Sequence, residues 1–120
     1  MKRWFRLTRS TDIKRVRRNG RSYAHPLVVL VVEENPQLGN LSAGVIAGKA
    51  VGGAVRRNLI KRRIKAILDQ DSHTIKQGWN LIFIARSQAS EAKYAEIHMA
   101  IQDLLKRARL VEKENSNVGK

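Results

Sequence analysis

The alternation of apolar and polar residues along the chain predicts strands in three places. Residues 26–32 and 80–86 contain short apolar runs rich in β-branched side chains, shorter than an ordinary helix. Over residues 41–47, apolar and small residues alternate with the period of two that puts one set on one face of a strand. The run at 80–86 is apolar throughout between its end residues, which is typical of a strand buried on both faces.

A short basic helix is predicted near the amino terminus. Ser10 or Thr11 is expected to cap its first turn, and Asn19-Gly20 is expected to end it. Ile13 and Val16 lie three positions apart, so they share one face of the helix. This helix therefore has only a thin apolar stripe with which to contact a core.

Two longer helices are predicted over 54–69 and after Ser90, which would cap the last one. Apolar residues recur at helical spacing between Tyr94 and Ala108. The apolar stripe of the helix at 54–69 would dock on the sheet and consists of Ile60, Ile64 and Ile67. Strands and helices thus intermix along the chain, as in an α/β or α+β protein.

The length and composition indicate one domain. A chain of 120 residues with 42% hydrophobic content can build a single modest core. We expect residues 1–112 to form that domain and residues 113–120 to form a flexible tail. The sequence has no Cys, which excludes disulfides, thiolate metal sites and a cysteine nucleophile.

The charge of the chain points to a polyanionic partner. Lys and Arg total 24 against 10 Asp and Glu, a net charge of +14. Nucleic acid is therefore favoured over a membrane surface, and no small-molecule substrate is expected. No apolar run approaches the ~20 residues of a membrane span, and the basic amino terminus lacks the apolar stretch of a secretory signal. We expect a cytoplasmic protein without a membrane partner.

The positive charge is concentrated on the predicted helix at 54–69, within an acid-free stretch from Asn35 to Leu68. Arg57, Lys61 and Lys65 lie four residues apart on one stripe. Like charges at this spacing cost a few tenths of a kcal/mol per pair, so the stripe opposes helix stability. A phosphate backbone explains it, whereas the alternative, a solvated helix face, normally mixes charges of both signs.

Other residues flank this stripe. Asn58 lies beside it and adds directional hydrogen bonds, and Arg62 lies beyond Asn58. Arg56 and Arg63 form a second row. The residues expected to bind RNA are Arg56, Arg57, Asn58, Lys61, Arg62 and Lys65.

Candidate catalytic groups are scarce in this sequence. The three histidines are far apart and lack ligand spacing, so surface or hydrogen-bonded structural roles are favoured. No carboxylate group accompanies the basic helix, as two-metal phosphodiester chemistry would require. We therefore expect no catalytic residue in the protein itself. Trp4 and Phe5 could either stack on bases or anchor the chain end to the core.

The segment from Val51 to Lys65 resembles the signature of the bacterial ribonuclease P protein component. That pattern reads Gly, any residue, Ala-Val, any residue, Arg-Asn, two residues, Lys-Arg, two residues, then a basic residue. The matching positions are Gly52, Ala54, Val55, Arg57, Asn58, Lys61, Arg62 and Lys65. The resemblance extends over about residues 7–109.

The resemblance implies a fold and a function. The fold would be a compact α+β sandwich in the order helix, strands, helix, strand, helix, with a left-handed βαβ crossover. The protein would be the subunit of ribonuclease P that assists a catalytic RNA in removing the 5′ leader from precursor tRNA. The RNA would hold the active site and most of the Mg²⁺, and protein metal ligands stay unknown.

The family guides the single-stranded leader through a cleft between the first helix and the sheet. In this chain the corresponding residues are Ile13, Arg17, Val29, Val31 and Lys49. The family commonly has aromatic residues near Ile13, Arg17 and Val31, so the cleft here would be aliphatic and basic. We expect it to follow the phosphates of the leader more than to stack its bases.

Two other functions are compatible with the charge alone. A structural ribosomal protein or RNA chaperone would be equally basic but would not explain the ordered signature. A membrane-surface protein would need the apolar stripe of the basic helix, which the core requires.

Overall fold

The computed structural model describes residues 4–37 and 39–111. The proposed tail at 113–120 lies outside the described residues. The strands are β1 (Trp4–Arg6), β2 (Arg21–Ala24), β3 (Val28–Glu34), β4 (Leu41–Ala47) and β5 (Trp79–Ala85). The helices are α1 (Ser10–Asn19), α2 (Ala54–Asp71) and α3 (Tyr94–Arg107), with short 3₁₀ turns at Lys49–Val51, Ser72–Thr74 and Ser87–Glu91.

The strands form one mixed sheet in the order β1-β4-β5-β3-β2. β4 runs parallel to β5, from Leu41 opposite Trp79 to Ala47 opposite Ala85. Since α2 connects them, β4, α2 and β5 form a βαβ unit, and the left-handedness of its crossover stays a prediction. β3 pairs antiparallel with both β5 and β2, and β1 adds in parallel to the start of β4. This architecture confirms the α+β fold class.

The main core lies between the sheet and helices α2 and α3. Ile60, Ile64 and Ile67 are fully buried in it, which confirms the predicted docking stripe of α2. Leu81 and Phe83 meet them from β5. β5 is buried on both faces as predicted, because its alternate residue Ile82 points to the opposite side, where α1 lies.

Helix α1 packs on that opposite face over a smaller apolar cluster. Val16 is fully buried against Val31 and Ile82. Gly20 ends the helix because the chain turns there directly into the sheet. A Cβ at Gly20 would lie 2.6 Å from the carbonyl oxygens of both Val16 and Val32. This close approach, and not a left-handed backbone, requires glycine, since φ is −80°.

The structure corrects several sequence expectations. The N-cap of α1 is Arg9, without a side-chain cap, so Ser10 and Thr11 do not cap it. The N-cap of α3 is Lys93, while Ser90 lies in a 3₁₀ turn before it. Strands β1 and β2 were not predicted, because each is only three or four residues long and has mostly exposed side chains.

The aromatic residues at the amino terminus have different environments. Trp4 is buried, and its Nε1 donates a 2.7 Å hydrogen bond to Asp69 Oδ1 near the end of α2. Trp4 therefore anchors the chain end. Phe5 points to the other face of the sheet and is 55% exposed, so stacking on a base stays open for it. None of the described helices is long and apolar enough to cross a membrane.

Candidate nucleic-acid interface

The outer side of α2 carries a groove built from the predicted RNA-binding residues. Asn58, Lys61, Arg62 and Lys65 line it together with Val55, and its volume is about 440 Å³. The burial of the isoleucine stripe fixes the rotation of the helix, so these polar side chains face away from the core. Val55 is 84% exposed, although it is apolar. The structure thus brings four of the six predicted residues into one surface.

Arg57 adjoins this groove and has an unmet hydrogen-bonding need. Its side chain is half-buried, and its Nε is buried without a hydrogen-bond partner among the described residues. A buried donor left unpaired costs about 1–3 kcal/mol. An incoming phosphate oxygen would supply the missing acceptor, because the guanidinium presents several donors in one plane.

The second row of cations has a different role. Arg56 Nη1 donates to the Ser90 carbonyl at 3.0 Å, and Arg63 Nη1 donates to the Ala92 carbonyl at 2.9 Å. These two bonds hold the segment before α3 against α2. Arg56, which the sequence grouped with the RNA-binding residues, is therefore placed outside the groove and has a structural partner.

The cations of the α2 surface keep most of their charge unneutralised. In the described part of the chain, no recorded ion pair involves Arg57, Lys61 or Arg62. The acids of α2, Asp69 and Asp71, lie at its far end, where they accept from Trp4 and His98. The surface consequently presents a positive potential to which a polyanion would be attracted.

The face of the sheet beside α1 forms the second candidate surface. Val29, Ile84 and Ile46 lie opposite one another on β3, β5 and β4 and are all half-buried. Ile13 is half-buried at the edge of the same apolar cluster. Val31, expected to line the cleft, is only 3% exposed because it packs beneath Val16. Sequence reasoning missed Ile46 and Ile84, although their parity on two paired strands could have identified them.

Cations lie at one end of this aliphatic row. Lys49 follows the end of β4 and is exposed. Arg86 directly follows β5 at the same edge of the sheet, is exposed, and donates to the His25 carbonyl at 3.4 Å. Arg86 was not predicted, because adjacent positions at the ends of parallel strands emerge only from the register. Arg17 is exposed on the last turn of α1.

An ionic network fixes α1 over the sheet. Arg15 contacts Asp12 at 2.8 Å and Glu33 at 3.1 Å, and Glu33 also accepts a 3.0 Å hydrogen bond from Asn80 Nδ2. The hydrogen bond from Arg15 holds the pKa of Glu33 below its ordinary value, and the same contact raises the pKa of Arg15. Arg15 is thus neutralised within the protein, unlike the cations of α2.

The remaining titratable side chains do not assemble a metal site. Residues 4–37 and 39–111 contain no group of three or more His, Cys, Asp or Glu that could hold a metal ion. His98 pairs with Asp71 at 2.6 Å, and His25 Nδ1 accepts from the Leu27 amide. These contacts confirm the structural roles expected for both histidines. The donor set of the described residues does not fit a protein-held Mg²⁺.

Comparison with known proteins gives a consistent assignment. The family model for ribonuclease P matches residues 1–109. The ribonuclease P protein component of Dehalococcoides mccartyi is 38% identical over 115 residues, covering 96% of this chain and 93% of the relative. The component from Herpetosiphon aurantiacus is 36% identical over 110 residues, covering 92% and 89%.

Solved structures support the same conclusion. The RNase P protein of Staphylococcus aureus superposes with a TM-score of 0.84 at 27% identity, covering 90% of this chain and 98% of that one. The RNase P protein of Thermotoga maritima, at 24% identity and a TM-score of 0.77, covers 85% of this chain and 96% of that one and shares the fold. With the signature on α2, the matching sheet and these relatives, the chain belongs to the ribonuclease P protein component family.

Proposed function

We propose that the chain binds RNA on both sides of its sheet, with different parts of the complex on each. The groove of α2 binds the catalytic RNA, and the cleft beside α1 binds the 5′ leader of precursor tRNA. As a member of its family, the chain is a subunit of the ribonuclease P holoenzyme and acts in the 5′ processing of tRNA. Membership favours this role over the ribosomal or chaperone role that charge alone left open.

The observation that carries the proposal is the unneutralised polar surface of α2. Lys61 and Arg62 line a groove without acidic partners, and Arg57 holds a buried donor without an acceptor. Each cation that meets a phosphate releases condensed counterions, which favours binding most strongly at low salt. Asn58 adds a directional donor and acceptor that fix the RNA relative to the helix.

The cleft beside α1 suits a single strand. Ile46, Ile84 and Val29 give an aliphatic floor, and Lys49 and Arg86 give two cations at one end. Cations bind the phosphates without reading the base, so this cleft would accept many leader sequences. Binding the leader adds affinity for precursor tRNA that mature tRNA cannot gain, because mature tRNA lacks the leader.

The reaction itself would take place on the RNA. Mg²⁺ would be held mainly by RNA phosphates, in keeping with the absence of a metal-ligating group among the described residues. The contribution of the protein is to offset repulsion between catalytic RNA and substrate, and so to lower the Mg²⁺ concentration that assembly requires.

The decisive experiment is cleavage of precursor tRNA by a bacterial ribonuclease P RNA at low Mg²⁺, with and without the protein. We expect stimulation by the protein, which weakens as Mg²⁺ rises and screens the phosphates. Replacing Lys76 and Lys106, exposed cations away from α2 and the cleft, by Ala provides a control of equal charge loss. A protein that binds this RNA but never stimulates its cleavage would contradict the proposal.

A further inference from the structure

A second depression lies on the other side of the lysines of α2. It occupies about 270 Å³ between α2 and the connection from β1 to α1. Leu7, Ile13 and Val45 contribute apolar walls, and Thr8 lies on the connection. Lys61 and Lys65 also line it. The volume is slightly below the roughly 300–1,000 Å³ of pockets for drug-sized ligands, and so suits a smaller flat group.

The edge of β4 opens onto this depression. β1 pairs only with Leu41, Ser42 and Ala43, and the last bond between the two segments runs from the Leu7 amide to the Ala43 carbonyl at 2.8 Å. Backbone groups at alternate positions of a strand point to the same side. The amide and carbonyl of Val45 therefore face the side of β4 that β1 no longer covers. They offer one donor and one acceptor, as an unpaired strand edge does.

The two lysines connect this depression to the RNA-binding surface. Lys61 and Lys65 line both the 440 Å³ groove of α2 and the 270 Å³ depression, so they form the wall between them. A phosphate held by these lysines lies within one nucleotide of either side. RNA that docks on α2 can thus place one base across the wall, where it meets apolar side chains and a backbone donor and acceptor.

From this arrangement we propose that the depression beside Val45 receives one unpaired base of the catalytic RNA. The inference rests on the proposed function and extends it, because it adds a base contact to a surface otherwise built for phosphates. Proteins recognise RNA bases mostly where they are unpaired, through apolar contact and hydrogen bonds to the base edge. An acidic peptide added as a strand would instead need a longer open edge than the end of β4 provides.

The test fills the depression without changing any charge. Val45→Phe puts a larger side chain into it, whereas Ile46→Phe changes the next residue, which points to the opposite face. The readout is base-specific chemical probing of a bacterial ribonuclease P RNA with each protein, together with the dissociation constant of the complex. Thermal melting of each variant establishes that it is folded.

We expect the wild-type protein to protect at least one unpaired base that Val45→Phe leaves reactive, with binding weakened about tenfold. Ile46→Phe should keep that protection. Thr8→Trp, at an exposed position of the rim, provides a second obstruction if Val45→Phe fails to fold. Unchanged protection and affinity with a folded filling variant would overturn the inference while leaving the proposed function intact, provided that the wild-type protein stimulates cleavage. Absence of that stimulation would overturn both.

Discussion

Helices α1 and α2 lie on opposite faces of the same sheet and are attached to it by different forces. In α2, four side chains are fully buried: Ile60, Ile64, Ile67 and Leu68. In α1, only Val16 is buried, and the Arg15–Glu33 contact supplements it. One helix is held by apolar area and the other largely by charge.

This difference determines which cations are available to a ligand. Burying one aliphatic side chain contributes about 1.5–3 kcal/mol, whereas a like-charge pair along a helix costs only a few tenths. α2 therefore tolerates a row of unneutralised cations, because its burial exceeds their repulsion several-fold. α1 has less buried area, and it uses Arg15 to hold itself in place. Charge is free for RNA where the core supplies the stability.

The largest effect should come from the apolar stripe of α2. Ile64→Ala removes a fully buried side chain and should lower the free energy of unfolding by about 2–5 kcal/mol. Val16→Ala in α1 should cost less, since it removes only two methyl groups at about 0.8 kcal/mol each before any cavity is counted. Urea denaturation followed by circular dichroism measures both. Equal losses would contradict the contrast between the helices.

The next effect concerns the cations that α2 leaves unpaired. Replacing Arg57 and Lys61 together by Ala should weaken binding to the catalytic RNA and reduce the salt dependence by about 0.9 log units per lost phosphate contact on duplex-like RNA. Stability should stay within about 0.5 kcal/mol, because the isoleucine stripe is untouched. Filter binding at several salt concentrations measures the slope.

The matched control for this pair is Lys76→Ala with Lys106→Ala, which removes the same charge elsewhere. We expect the control to leave the slope close to that of the wild type. If both double variants flatten the slope equally, net charge and not the α2 surface governs binding.

The sequence predicted α2 better than it predicted α1 and its surroundings, for a physical reason. The isoleucine spacing and the acid-free stretch are local properties, and both survive into the structure. The floor of the cleft depends instead on register between distant strands, which brings Ile46 opposite Ile84. Likewise, the hydrogen bond from Arg56 to Ser90 joins residues 34 positions apart, so no local pattern separates Arg56 from Arg57.

A smaller effect should follow from the ionic attachment of α1. Glu33→Gln removes the negative charge that Arg15 contacts and should destabilise the protein by a few tenths to about 1 kcal/mol near neutral pH. Because the pKa of Glu33 is lowered on folding, its contribution is present above the ordinary value of 4.5 and lost as the pH falls below it. The wild type and Glu33→Gln should therefore converge in stability at acidic pH.

The neighbouring carboxylate supplies the control for this comparison. Glu34 is exposed and takes part in none of the recorded ion pairs of the described chain, so Glu34→Gln should change stability little at any pH. Thermal melting between pH 3 and 8 on the three proteins would measure the difference. A gap between wild type and Glu33→Gln that persists at the lowest pH would mean that packing, and not charge, holds α1.

The smallest effect concerns the aliphatic character of the cleft. Stacking of a base on an aromatic side chain contributes about 1–3 kcal/mol, and Ile13 offers no aromatic face. Ile13→Phe should tighten binding of precursor tRNA by a few fold at most, because the leader touches this position with one base. Mature tRNA lacks the leader, so its affinity should not change. Ile13 also lines the depression beside Val45, and a ring turned into that depression would weaken assembly with the catalytic RNA for both substrates alike. Fluorescence titration of the holoenzyme with precursor and mature tRNA separates these cases, since equal changes for both would mean that the cleft does not hold the leader.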